Sequence, residues 1–74
     1  MIAKDLIKEL EKAGLFHGSY KEADILKNAI LSVVPEYNKV ESYHINKIIN
    51  QLYKTQVDYG SNVMVLTQFI QSKI

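Results

Sequence analysis

The chain has 74 residues, a formal net charge of +1 and no cysteine. That length is one small domain near the lower limit for a self-sufficient core, with neither disulfide nor cysteine-held zinc to support it. Near-neutral charge removes any global electrostatic argument for nucleic acid or an anionic membrane.

Four periodic segments follow in chain order. The first spans about residues 2–13, with Ile2, Leu6 and Leu10 on one face beside Ala3 and Ile7. Asp5 near its start and Lys12 near its end suit the helix dipole, and Gly14 is placed as the left-handed residue that ends it. Leu15 or Phe16 is expected to fold back on the last turn.

The second, about 20–34, is the strongest signal. Ser19 and Glu22 have the spacing of a capping box, and Pro35 stops the helix. Between them Ala23, Leu26, Ala29, Ile30, Val33 and Val34 form a stripe, widened by Ile25 and Leu31. A helix apolar over so wide an arc is buried on more than one side. It is therefore expected at the centre of the bundle, and self-association is a live expectation for so small a core.

The third, about 39–56, has Asn38 and Glu41 as a weaker capping box, with Ser42 as a rival cap. Its stripe is Ile45, Ile48, Ile49 and Leu52, extended by Val40 and Tyr53. The fourth, about 62–73, follows a turn cluster at Asp58–Asn62. Val63, Leu66, Ile70 and Ile74 fit a helix, with Phe69 on the same side. The β-branched run Val63–Thr67 allows a rival reading, a hairpin pairing Gln56–Tyr59 with Val63–Val65 around Gly60. The expectation is a single all-α domain over 1–74, a compact bundle of four short helices. The alternative is three helices with a C-terminal hairpin, in the manner of a winged helix.

Catalytic constellations are missing. The two histidines are His17, between glycine-flanked turns, and His44, expected near the solvent side of the third helix. Neither sits at a metal-ligand spacing, and Ser19 beside His17 is better explained as a helix cap. Glu22 and Asp24 open a helix, where the dipole accounts for them. No glycine-rich phosphate loop is present. The helical plan is similar in outline to acyl carrier proteins, but their Asp-Ser-Leu attachment site is absent, since Ser19 lies between Gly18 and Tyr20. The chain is accordingly expected to be no enzyme, without cofactor or metal. No window has the ~18 apolar residues of a membrane span, and Met1–Asp5 lacks the apolar core of a signal peptide, so a cytoplasmic location is expected.

Two surfaces carry the functional expectation. Five tyrosines are many for this length, and tyrosine brings large contact area at small entropic cost. Tyr37, Tyr43 and Tyr59 fall at helix ends or connections and, with Phe16, are the candidate contacts to another protein. The alternative is a helix-turn-helix regulator whose third helix reads DNA through Tyr43, Asn46, Lys47, Asn50, Gln51 and Lys54. No acid occurs from Ser42 to Val57, and the halves 1–37 and 38–74 carry about −1 and +2. Against it, every basic residue but the histidines is lysine, so the best bidentate phosphate and guanine ligand is missing. Abundant Ile, Asn, Lys and Tyr with scarce Gly, Ala and Pro is what AT-rich coding produces, as in a low-GC bacterium or its phage. The leading expectation is a protein-binding module, an accessory protein of a phage or mobile element that modulates a host protein. A homodimer is within that expectation; a membrane partner is not.

Overall fold

A computed structural model describes residues 1–14, 20–55 and 62–74. Four helices make up the body: α1 (Ala3–Lys12), α2 (Tyr20–Val33), α3 (Ser42–Lys54) and α4 (Asn62–Lys73). The expected all-α bundle is thus the fold, with helix boundaries that differ in instructive places. Its radius of gyration, 10.9 Å, is that of a fully compacted chain of this length, about 11 Å. Among the described residues no helix is long and apolar enough to cross a membrane.

Helix α1 buries Ala3, Leu6, Ile7 and Leu10, the stripe its period predicts. It ends as expected: the Ala13 N–H donates to the Glu9 carbonyl, and Gly14 follows at φ +70°. Leu15 and Phe16 lie outside the described residues, and with them the expected fold-back. The start of α1 is less ordinary. Ile2 is the N-cap, in extended conformation, and no side chain caps the helix. The free N–H groups of Ala3 and Lys4 donate instead to the carbonyls of Asn38 and Glu36, both at 2.9 Å. The Val40 N–H returns to the Met1 carbonyl at 2.9 Å, and Ile2 pairs with Lys39 as a single antiparallel bridge.

Helix α2 buries Leu26, Ala29 and Ile30, with Ile25, Leu31 and Val33 partly covered. Val34 leaves the helix yet is fully buried, just ahead of Pro35. Ser19 lies outside the described residues, and so does the capping box expected there.

Helix α3 starts three residues later than its periodicity suggests. Lys39 and Val40 are spent on the bridge to the N-terminus, so Glu41, extended at φ −103° and ψ 162°, is the N-cap. Asn38 caps nothing on α3; its carbonyl serves α1. The reach-back expected of a capping box comes from His44, whose Nδ1 accepts the Glu41 N–H at 2.8 Å. Val40 is buried as expected, but from the bridge rather than from the helix. Tyr53 does not extend the stripe: it is exposed.

Helix α4 settles the choice between helix and hairpin. Val63–Val65 are helical, and among the described residues the only β pairing is the Ile2–Lys39 bridge. Leu66 and Ile70 are buried, with Val63 and Phe69 against them. The Thr67 hydroxyl donates to the Val63 carbonyl at 2.8 Å, which absorbs the polar group of the β-branched run into the helix. The helical period of Val63, Leu66 and Ile70 puts all three on the covered side, which outweighs the local β preference of the run. Ile74 lies beyond the helix and is exposed.

The most extensive packing is α2 against α3; α4 covers α3, and α1 covers α2. Ile25, Asn28 and Ser32 share a recess with Gln51 and Thr55, and Ser32 and Val33 share another with Lys47, Asn50, Gln51 and Lys54. Both α2 and α3 have a helix on a second side, so the centre is this pair rather than α2 alone. Lys73 reaches Glu9 at 3.7 Å and ties α4 to α1, a half-exposed pair worth ~0–1 kcal/mol. Among the described residues no polar or charged side chain is buried.

Leu26 is fully buried at the α2 face of this core. Leu26→Ala is expected to cost ~2–5 kcal/mol, while Lys27→Ala, one exposed position along, stays within about 0.5 kcal/mol. Urea unfolding followed by circular dichroism reads the difference, and equal midpoints for the two variants would overturn the placement of α2.

Candidate partner-binding surface

With polar groups confined to the surface, function has to be sought there. Tyr37 stands 69% exposed in the connection between α2 and α3, and Tyr43 62% exposed in the first turn of α3. Phe16 and Tyr59, the other two expected partner contacts, lie outside the described residues. Tyr53 joins the exposed set at 63%, and α4 adds Met64 at 68% with Val65 beside it.

Periodicity missed these three for different reasons. Tyr53 follows Leu52, one helical step of 100° off the buried line through Ile45, Ile49 and Leu52, so it sits at the flank of the stripe. Met64 and Val65 fall off the line of Val63, Leu66 and Ile70, yet on a helix with apolar residues around most of its circumference that line does not mark them as surface.

The rings are not loose appendages. Lys4 of α1 places its ammonium 5.4 Å from the centre of the Tyr37 ring. Lys47 does the same for Tyr43 at 5.6 Å, one turn along α3. On its other side Tyr43 meets the His44 ring, centroid to centroid 4.1 Å, tilted by 42°. Each cation–ring contact is worth about 0.5–1 kcal/mol at an exposed site.

His44 has a structural task. Accepting the Glu41 N–H requires a lone pair on Nδ1, which puts the imidazole proton on Nε2. It is half-buried rather than solvent-facing. Among the described residues no group of three His, Cys, Asp or Glu side chains is placed to hold a metal.

The residues proposed for DNA contact separate into two sets. Lys47, Asn50, Gln51 and Lys54 line one open recess of about 370 Å³ between α3 and the end of α2, with Ser32 and Val33 opposite. Tyr43 joins them through Lys47. Asn46 is exposed on α3 but does not line that recess. The connection from α2 to α3 runs from Val34 to Glu41, eight residues, against the three or four of a helix-turn-helix. No protein-family model matches the chain, and no curated protein and no solved structure matches it either.

Substitutions at two positions separate scaffold from surface. His44→Ala is expected to cost about 1 kcal/mol through the lost cap, and His44→Gln to recover most of it by reaching the same N–H. Tyr53→Ala is expected to stay within about 0.5 kcal/mol, because its side chain is already mostly exposed in the fold. Chemical denaturation of the three variants checks both statements; a large loss at Tyr53 would return it to the core.

Proposed function

We propose that the protein is a non-enzymatic interaction module that binds another protein through exposed tyrosine and apolar surface. One observation carries the reading. Tyr37, Tyr43 and Tyr53 are all more than three-fifths exposed, while the core closes without them on aliphatic side chains. Large rings held outside a finished core, two of them steadied by lysines, suit the burial of a partner surface. The lysine-only basic set and the Ile- and Asn-rich composition support an accessory protein of a phage or mobile element, cytoplasmic, that modulates a protein of its host.

A second reading, a small DNA-binding regulator, draws on the gathering of Lys47, Asn50, Gln51 and Lys54 at one recess on an acid-free helix. The eight-residue connection and the missing arginine weigh against it.

The test compares the immobilised protein with a Tyr37→Ser/Tyr43→Ser/Tyr53→Ser variant of matching circular dichroism. A host protein should be captured saturably by the first, and at least about tenfold more weakly by the second. Equal capture by both, or none by either, overturns the module reading. Duplex DNA bound at low salt and released steeply as salt rises would establish the regulator instead.

A further inference from the structure

On α3, residues 43, 47, 50 and 54 recur at four- and three-residue steps, so Tyr43, Lys47, Asn50 and Lys54 share one line along the helix. All four are exposed, and the line runs opposite Ile45, Ile48, Ile49 and Leu52, which are buried. The helix holds no acidic residue anywhere between Ser42 and Lys54. On α1 and α2 the lysines share their helix with acidic residues, and ion pairs join Lys12 and Lys73 to Glu9 and Lys39 to Glu41. Among the described residues neither Lys47 nor Lys54 has a carboxylate within 4.0 Å. The seven-residue interval sets the two ammonium stems about 10 Å apart along the axis. Between them Asn50 and Gln51 open onto the recess shared with Ser32 of α2.

This arrangement is positive with no acid on its own helix, offers amide donors and acceptors between two cations, and has an aromatic ring at one end. We propose that it docks an acidic segment of a partner protein. Carboxylates about 10 Å apart would meet Lys47 and Lys54, a spacing given by two turns of helix or by three residues of extended chain. Asn50 and Gln51 hydrogen-bond between them, and Tyr43 covers the end of the segment. The charge complementarity favours protein over nucleic acid. Two lysines neutralise few phosphates, the chain has no arginine, and the eight-residue connection between α2 and α3 is longer than that of a helix-turn-helix. This inference rests on the interaction-module reading and names the chemistry of its partner.

The test is a titration of isotope-labelled protein with poly-L-glutamate, followed by amide NMR at about 50 mM salt, where surface charge is only partly screened. Saturable shifts should centre on Tyr43, Lys47, Asn50, Lys54 and Ser32. Lys47→Glu/Lys54→Glu should weaken binding at least about tenfold, whereas Lys8→Glu/Lys27→Glu, an equal charge change on exposed sites of α1 and α2, should leave it within about twofold. Absence of shifts, equal weakening by both variants, or tighter binding of a 20-base-pair duplex on the order of tenfold overturns the proposal. Capture of a host protein that the Lys47→Glu/Lys54→Glu variant retains leaves the module standing and removes only the acidic-segment site.

Discussion

The structure depends on a clamp between its first residues and the connection that joins α2 to α3. Helix α1 begins at an isoleucine that offers no side-chain acceptor, so two of its free N–H groups would be unpaired at the edge of an apolar core. An orphaned backbone donor in such a place costs ~1–3 kcal/mol. The carbonyls of Glu36 and Asn38 remove that cost, and the Val40 N–H to Met1 carbonyl bond closes the pairing. The helix thus takes its cap from residues more than thirty positions away in the chain.

The clamp has consequences on both sides. It draws residues 36–40 across the end of α1, with Val34 and Val40 fully buried at either end of the segment. Lys39 and Val40, paired with the N-terminus, cannot also form the first turn of α3, so that helix waits until Ser42. The eight-residue connection carries the chain from α2 into α3, and these two helices make the most extensive packing of the bundle. The same geometry turns Tyr37 outward under Lys4 and brings Tyr43 and Lys47 to the outer line of α3. The candidate surface is therefore a by-product of how the bundle is pinned.

Electrostatics divide the surface in a similar way. The first half of the chain interleaves lysines and acids and is nearly balanced, as a solvated face is. On α3 lysine, amide and tyrosine occur without an acid over about three turns. Exposed charge of this kind adds little to folding stability, since exposed pairs are worth ~0–1 kcal/mol in any case. In a protein interface such charge governs approach and orientation more than affinity.

Residue order alone determined the number of helices, the apolar face of each and the left-handed end of α1 at Gly14. Those features need only short-range information: a 3.6-residue period, and a glycine where φ is positive. The tyrosines at 37 and 43, and the polar run along α3, were legible as surface for the same reason. Tertiary structure alone decided where α3 begins, that His44 and not Asn38 answers Glu41, and that Tyr53, Met64 and Val65 face outward. It also decided that Lys47, Asn50, Gln51 and Lys54 share one recess with the end of α2. Each of these turns on backbone groups or helix faces whose partners lie far along the chain, and a local pattern carries no record of what will be packed against it.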